Sequence, residues 1–141
     1  MNPLPPYAEL LGLSTRRSGD GELLWVMPFR EAVVGRPGFL HGGAIAGLLE
    51  FAALGTLYEA LGEKDEVKVK PINVTVDFMR GGAEHETFAA ATVTRLGNRV
   101  ANVIARAWQD DPAKPIATAQ MNVRIRREDL PLPFSRASLS A

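Results

Sequence analysis

The sequence contains no cysteine, which excludes disulfide bonds and thiolate-ligated metal sites. It also has no excess charge of either sign, because 16 Lys and Arg residues balance 16 Asp and Glu residues. A chain without net charge gives no sign of the basic surface that is typical of nucleic-acid binding, so we expect no nucleic-acid partner. There are two histidines, 44 residues apart, and no cluster of potential ligands, so we expect no metal site.

Targeting signals are also lacking. The first residues, "MNPLPPYAELLGL", have no basic segment followed by a long apolar run, so we expect no signal peptide. The apolar stretch after His41 is expected to be too short for a membrane span, and its glycines and Glu50 argue further against one. The sequence therefore predicts a soluble cytoplasmic protein without a membrane partner.

A chain of 141 residues is most simply one domain, residues 1–141. We expect its core to run from about residue 20 to 127, between a proline-rich N-terminal lead and a loose C-terminal tail. Its longest helix is predicted over 43–61, with Gly62 as the stop signal. This helix is apolar nearly all round, which indicates burial on most sides.

Strands are predicted on both sides of this helix, where apolar residues alternate with polar ones. One strand, "ELLWVMPF", precedes the helix after the turn-rich segment "STRRSGDGE". Four strands joined by hairpin-like turns follow the helix: 72–78, "TFAAATVTRL", "RVANVIARAWQ" and "IATAQMNVRI". In three of them the alternation predicts which residues share the apolar face: Ile72, Val74, Val76 and Phe78; Ala101, Val103, Ala105 and Ala107; and Ala117, Ala119, Met121, Val123 and Ile125. This order indicates an α+β domain in which a largely antiparallel sheet curls around one long helix.

Glu50 is the one residue between His41 and Tyr58 that is charged at neutral pH. A buried carboxylate is costly unless it is paired or used, and burial raises the pKa of a carboxyl group towards the range of a general base. The alternative is a structural glutamate that forms a hydrogen bond across a dimer interface, because perturbed carboxylates are often only structural. The residues alone leave both interpretations open.

Gly42 and Gly43 lie at the predicted start of the helix. Backbone N–H groups there have no intrahelical partner and lie at the positive end of the helix dipole. They form a possible oxyanion hole, which stabilises negative charge on a substrate oxygen. The alternative is that the glycines only allow the chain to enter the helix or to pack tightly.

The segment "LHGGAIAGLLEFAA" resembles the His-Gly-Gly signature of PaaI-type (4-hydroxybenzoyl-CoA thioesterase-like) hotdog-fold acyl-CoA thioesterases. In that family an Asp or Glu follows the His by nine residues, and His41 and Glu50 have this spacing; Gly38 also fits. The similarity extends in order through "VTVDFMRGG", "TVTRLGNRV" and "PIATAQMNVRI", and covers roughly residues 20–126. The relatives usually carry Asn or Gln six residues before the His, where this chain has Gly35.

The resemblance implies a hotdog fold and the hydrolysis of a CoA thioester to free acid and CoA. Glu50 would act as base or nucleophile, and the backbone N–H of Gly42 would polarise the thioester carbonyl. His41 is the third candidate catalytic residue, although a structural role as a cap of the helix is also open. Gly43, Phe51 and Leu54 would line the substrate pocket, and the last two would equally suit the core. No cofactor is implied other than coenzyme A as part of the substrate.

The coenzyme A moiety is expected to run along two turns, because arginine binds phosphate as a fork. The candidates are Arg80, Gly81, Arg95, Gly97, Asn98 and Arg99. Each arginine is otherwise an ordinary solvated charge at a turn. An uncovered sheet edge predicts a homodimer, and the resemblance implies that two dimers pair into a homotetramer.

Two functions of different classes follow. The first is a thioesterase, favoured by the spacing of Glu50. The second is a non-catalytic hotdog domain that binds an acyl-CoA or only pairs with itself, favoured by Gly35. Hotdog dehydratases and hydratases fit less well, because the sequence lacks their pairing of an acid with a His on the helix. Aryl-acetyl, benzoyl and medium fatty acyl groups all remain open as the acyl group.

Overall fold

The structure is a computed structural model that describes residues 4–62 and 67–127. The segment 128–141, expected as a loose tail, and residues 1–3 of the proline-rich lead lie outside the described residues. The helices are α1 (Pro6–Leu11) and α2 (Gly42–Leu61), with a short 3-10 turn, Glu31–Val33, between them. The strands are β1 (Ser14–Arg17), β2 (Leu23–Met27), β3 (Val67–Phe78), β4 (Thr87–Leu96), β5 (Val100–Trp108) and β6 (Ala117–Arg127).

The strands form one sheet in the order β1-β2-β4-β5-β6-β3, and every neighbouring pair is antiparallel. The predicted α+β architecture, an antiparallel sheet around one long helix, is confirmed. The predicted hairpin between the first two strands after the helix is wrong, because β3 pairs with β6 while β4 pairs with β2 and β5. Turn signals predict where the chain reverses, but they do not tell which strand it then joins.

The strand β1 lies inside the segment that was expected to be only turns. All four of its residues are exposed, so no alternation of apolar and polar residues marks it in the sequence. It pairs with β2, where Thr15 lies opposite Trp25. The core also takes in Ala8, Leu11 and Leu13, and therefore begins upstream of the expected residue 20.

The core is a helix of large side chains lying on a sheet of small ones. Leu48, Leu49 and Leu57 of α2 are fully buried, and the inward faces of β4, β5 and β6 are rich in alanine. The inward faces predicted for β5 and β6 are confirmed: Ala101, Val103, Ala105, Ala107, Ala117, Ala119, Met121, Val123 and Ile125. Small residues on the sheet let the helix approach closely and keep the interior densely packed.

The strand β3 departs from its predicted pattern because its register shifts between Pro71 and Asn73. Ile72 is therefore 55% exposed instead of sharing a buried face, and Phe78 at the end of the strand is 57% exposed. Val74 and Val76 are half-buried, because α2 packs mainly on β4 and β5 and covers β3 only slightly. β3 thus forms a long, partly uncovered edge of the sheet.

By length and composition α2 is able to cross a membrane, so the expectation that this segment is too short for a span was wrong. The buried leucines show what the helix does instead, since they lie against the sheet. A core helix passes the same test of length and hydropathy as a membrane span.

Candidate active site

A tightly closed loop leads into α2. The Phe39 N–H donates a hydrogen bond to the Arg36 carbonyl (2.9 Å), and Pro37 and Gly38 occupy the two positions between them. Gly38 has φ +84°, so the turn is of type II, which favours Pro at the second position and Gly at the third. The His41 N–H donates to the Val33 carbonyl (2.8 Å) and closes the base of the loop.

Gly35 lies where the closed loop meets the start of the helix. A Cβ atom added to this residue would be 2.9 Å from the Cα atom of His41, closer than real side chains approach backbone. The loop therefore has no room for any side chain at position 35. This is the physical reason why the amide that the family usually carries there has no place in this chain.

The first turn of α2 leaves one backbone donor free. His41 is the N-cap, and its Nδ1 accepts a hydrogen bond from the Gly43 N–H (2.8 Å). The N–H groups of Ala44 and Ile45 donate to the His41 carbonyl (3.0 and 3.2 Å). Within residues 4–62 and 67–127, the Gly42 N–H has no hydrogen-bond partner. Of the two glycines, Gly42 therefore offers a donor to a ligand, and Gly43 does not.

The capping contact of His41 also fixes which ring nitrogen carries the proton. Because Nδ1 accepts a hydrogen bond, the neutral ring carries its hydrogen on Nε2. The structural role that was one of two alternatives for His41 is thus present. The same ring is exposed, so its Nε2–H is accessible to solvent at the N-terminal end of α2.

One exposed aromatic ring, Phe78, lies next to Gly42, and a second, Phe39, lies against Gly81. A Cβ atom on Gly42 would lie 3.4 Å from the Phe78 ring, and a Cβ atom on Gly81 would lie 3.3 Å from the Phe39 ring. Phe78 and Phe39 are 57% and 40% exposed. Sequence reasoning missed Phe78 as a neighbour of the site, because only the register of β3 brings the end of that strand to the start of α2.

Glu50 is half-buried in the single chain, less than its apolar surroundings suggested. Its carboxylate has neither a hydrogen bond nor an ion pair with any residue that the structure describes. It lies in a stripe of α2 that the sheet leaves uncovered, between the half-buried Ala46 and Leu54. Glu50 and Gly42 are eight residues apart on one helix, or roughly 12 Å along its axis. One chain therefore does not bring them together.

Phe51 and Leu54, the expected pocket residues, lie in different surroundings. The Phe51 ring is 6.3 Å from the Trp25 ring and 6.2 Å from the Tyr7 ring, so it packs under α1. Leu54 lies one helical turn after Glu50 in the same uncovered stripe. Of the two, Leu54 is the one that remains beside the carboxylate, and Phe51 belongs to the aromatic cluster with Trp25. Gly43 is exposed at the start of the helix.

Comparison with known protein families identifies the family of this chain. Residues 33–124 match the family described as the acyl-CoA thioesterase N-terminal domain. The match spans more than half of the chain and includes both Gly42 and Glu50. The chain belongs to the acyl-CoA thioesterase family.

Individual proteins of similar sequence or structure agree with this assignment. A protein of Halobacterium salinarum that is provisionally named an esterase is 29% identical over 128 residues, which are 84% of this chain and 83% of that protein. A mutant thioesterase from Pseudomonas aeruginosa has a TM-score of 0.73 and 25% identity, covering 86% of each chain. A Bacillus halodurans protein determined with CoA has a TM-score of 0.78 at 17% identity, over 89% of this chain and 82% of that one, and shows the shared fold. The protein is a thioester hydrolase with the hotdog fold.

In this thioesterase the six residues expected to bind coenzyme A fall into two groups at opposite ends of the sheet. Arg80 and Gly81 follow β3, at the end where Phe78 pairs with Ala117. Arg95, Gly97, Asn98 and Arg99 form the end of β4 and the turn between β4 and β5, at the other end of the sheet. The length of β5 separates the two groups by roughly 26 Å. A single chain therefore does not gather all six around one ligand.

The two ends differ in their local charge. Arg80 and Gly81 line a cleft of about 210 Å³ together with Lys114, Asp110 and Asp111. Two carboxylates thus accompany the two cations there. At the other end, the Arg99 carbonyl accepts a hydrogen bond from the Ile125 N–H (2.7 Å), while the side chains of Arg95, Asn98 and Arg99 are exposed.

The side chains that could bind a metal ion are scattered over the part of the chain that the structure describes. Residues 4–62 and 67–127 contain no group of three or more His, Cys, Asp or Glu side chains that is able to hold a metal ion.

Proposed function

We propose that the protein hydrolyses an acyl-CoA at a site shared by two copies of the chain. Glu50 of one chain and the Gly42 N–H of the other would act on the same thioester. One observation carries this proposal: α2 holds a carboxylate and a backbone donor roughly 12 Å apart, and neither has a partner among residues 4–62 and 67–127. Each is half of a hydrolytic site, and a partner helix running antiparallel supplies the missing half.

The chemistry divides between the two chains. The Gly42 N–H donates a hydrogen bond to the carbonyl oxygen of the thioester and stabilises the negative charge that develops there, a contribution of about 3–4 kcal/mol for one such donor. Glu50 has two possible roles. As a base it takes a proton from water, the resulting hydroxide attacks the carbonyl carbon, the C–S bond breaks, and the proton goes to the leaving thiolate.

In its second possible role Glu50 is the nucleophile. Its carboxylate attacks the carbonyl carbon and displaces the CoA thiolate, which leaves a mixed anhydride between the enzyme and the acyl group. Water then hydrolyses the anhydride, releasing the acid and restoring the carboxylate. Both routes require a carboxylate that is free to act, and Glu50 makes no hydrogen bond or ion pair with any residue that the structure describes.

A homodimer would also bring the coenzyme A residues together. If two chains join antiparallel through their β3 edges, Arg80 of one chain lies at the same end of the joined sheet as the partner's Arg99. With about 4.8 Å between strands, the two are separated by three strand spacings, or roughly 15 Å. An extended coenzyme A is able to contact both.

We also propose that two such dimers pair into a tetramer. We propose a cytoplasmic location, where CoA thioesters are metabolised.

A second candidate function is favoured by the closed loop at Gly35. Without a side-chain amide, the thioester carbonyl has one fewer donor, and the protein would then hold an acyl-CoA without hydrolysing it. The two candidates differ in one measurable quantity, the release of free thiol from acyl-CoA.

The experiment is a hydrolysis assay on a small panel of aryl-acetyl, benzoyl and medium fatty acyl-CoA substrates. Free thiol is the readout, and the protein adds none because it has no cysteine. We expect Glu50→Gln to lower kcat by about 10²-fold or more, the range for a positioned acid or base. Glu59→Gln is the matched control, an exposed acid on the same helix that pairs with Arg17. Unchanged activity of Glu50→Gln, with wild-type fold and mass, would exclude the catalytic role of Glu50.

A second pair of variants tests the backbone donor. Gly42→Pro removes the N–H at the first helical position, where proline is well tolerated, and the ψ of 134° at His41 already suits a following proline. We expect a loss in kcat of about 10²–10³-fold, whereas Gly42→Ala keeps the donor and serves as the steric control.

Mixing Glu50→Gln chains with Gly42→Pro chains should restore about a quarter of wild-type activity, because half of the dimers are then mixed and each has one intact site. No recovery in dimers shown to exchange chains would exclude a shared site.

A further inference from the structure

We propose that the two-fold axis of this dimer crosses α2 at Ala46, and that the size of this side chain sets the distance between Glu50 and the partner's Gly42. The inference rests on the proposed function, because it starts from the requirement that these two groups meet. The partner is a second copy of this chain. Its helix packs antiparallel on the stripe of α2 that contains Ala46, Glu50 and Leu54.

The position of the axis follows from the helix geometry. In two antiparallel helices related by a two-fold axis, residues equally far before and after the axis lie at the same level. Glu50 lies level with the partner's Gly42 only if the axis passes midway between residues 42 and 50. That midpoint is Ala46, and a shift of one residue would displace the two groups by about 3 Å.

The charges on the two helices are complementary in this arrangement. The Glu50 carboxylate at one level of α2, and the Gly42 N–H at the positive end of the helix dipole, both lack a partner among the residues that the structure describes. Antiparallel packing places each carboxylate near the positive end of the partner helix. By symmetry the contact occurs twice. Any parallel arrangement would instead place the two carboxylates side by side.

The uncovered apolar surface fits a second copy of the same surface. Ala46 and Leu54 of α2 are half-buried, as are Val74 and Val76 on the inward face of β3. α2 covers β3 only slightly, so both elements leave apolar surface uncovered. In the part of the chain that the structure describes, the 12-residue strand β3 is the last strand on its side of the sheet. Two chains meeting here bury the apolar surface of both helices and pair both edges, as a self-complementary two-fold contact requires.

Ala46 is small enough to allow close contact at the crossing point. Helices approach to about 8–10 Å between axes, and the lower value needs small residues where they cross. A larger side chain at residue 46 would move the partner helix away and lengthen the span from Glu50 to the partner's Gly42 N–H. A displacement of about 1 Å at a reacting centre costs as much as 10²-fold in rate. Ala46 is therefore a positioning residue that does not touch the substrate.

The axis is tested by single cysteines in a chain that has none. On mild oxidation Ala46→Cys should form a disulfide-linked dimer, seen on a non-reducing gel. Leu54→Cys, in the same stripe, is the matched control: it should stay uncrosslinked, because the two Leu54 residues would lie about 24 Å apart along the helix axes. A disulfide needs Cα atoms within about 7 Å. Preferential crosslinking of Leu54→Cys, or of neither variant in a protein shown by light scattering to be a dimer, would overturn the inference.

The positioning role has a separate readout. Ala46→Leu should lower kcat by about 10-fold or more, with the dimer mass kept in light scattering, while the similarly small Ala46→Ser keeps kcat. Equal kcat for Ala46→Leu and wild type would overturn the positioning role.

The outcomes also separate this inference from the proposed function. An inactive Glu50→Gln with crosslinks only at Leu54 refutes the axis alone, whereas crosslinks at Ala46 with a fully active Glu50→Gln refute the catalytic role and leave the axis standing.

Discussion

At the scale of single residues, the start of α2 divides its functions among neighbours. His41 satisfies the Gly43 N–H through Nδ1, and this leaves the Gly42 N–H free. The side chain that caps the helix therefore also determines which backbone donor is available to a substrate. Several residue types can cap a helix, whereas a catalytic role would need the imidazole ring of His41 itself. Substitutions at residue 41 therefore distinguish the two roles.

We expect His41→Asn to keep the stability of the protein, because asparagine is among the best N-cap residues. His41→Ala should lose about 0.5–2 kcal/mol of unfolding free energy, since the Gly43 N–H loses its acceptor. Urea unfolding followed by circular dichroism measures both. If His41 acts only as a cap, His41→Asn also keeps most of kcat. A large fall in kcat of a stable His41→Asn protein would instead show that the ring contacts the thioester.

Gly35→Ala should destabilise the protein by about 1–3 kcal/mol, because its Cβ atom would meet the His41 backbone at 2.9 Å. The control is Gly19→Ala, since nothing lies within 4 Å of a Cβ atom at that position. Gly19→Ala should be neutral or slightly stabilising, as it lowers the entropy of the unfolded chain. Equal urea midpoints for the two variants would show that the loop gives way easily at residue 35.

The sequence predicted the helix of this site better than the contacts around it. The motif that contains His41 and Glu50 identified the helix, and the chemical roles expected of its residues stay predictions. It did not show that Gly43 is occupied by the cap, because which N–H the imidazole takes depends on its ring orientation. Nor did it show that Phe78 adjoins Gly42, since that contact joins residues far apart in the chain.

At the scale of elements, α2 presents three different sides. Its buried leucines face the sheet, Gly47 and Gly55 admit side chains from α1 and β2, and the stripe around Glu50 stays open. The sequence predicted an apolar helix that is buried on most sides, which is correct. It did not predict which side lacks a neighbour, because apolar residues occur all round the helix.

We expect Gly55→Ala to destabilise the protein by about 1–3 kcal/mol, and by more than Gly47→Ala. A Cβ atom at residue 55 would lie 2.5 Å from the ring of Trp25, a buried and rigid side chain. At residue 47 the nearest atom, at 2.9 Å, belongs to the exposed ring of Tyr7, which is able to swing outwards. Urea unfolding of the two variants gives the comparison, and the reverse order would mean that α1, not Trp25, fixes the packing of the helix.

Among the strands, β2 to β6 were predicted and β1 was not, and the buried face expected for β3 was only partly right. β5 and β6 have one buried and one more open face, and their predicted inward residues are buried. β1 is exposed on both faces, and β3 changes register at Pro71. Alternation records burial on one face, so it fails where a strand lies at the edge of a sheet.

At the scale of the whole molecule, we expect the proposed coenzyme A residues to act together only in the proposed dimer. Replacing Arg80 or Arg99 by Ala should raise KM for acyl-CoA by about 10-fold, because a charge-assisted contact with phosphate contributes roughly 1.5–3 kcal/mol. KM for a short thioester that lacks the nucleotide should not change. Arg16→Ala is the control, since Arg16 lies on the far edge strand and pairs with Glu86 (3.1 Å). An equal loss on both substrates would show that the arginine is structural.

The closed loop at Gly35 restricts how this chain is able to change over generations. An amide at this position needs a loop that lies farther from the His41 backbone than it does here. In this chain a single substitution would therefore bring a loss of stability together with any gain in catalysis. We expect a lineage that acquires the amide to change its loop first, because one short interatomic distance opposes the reverse order.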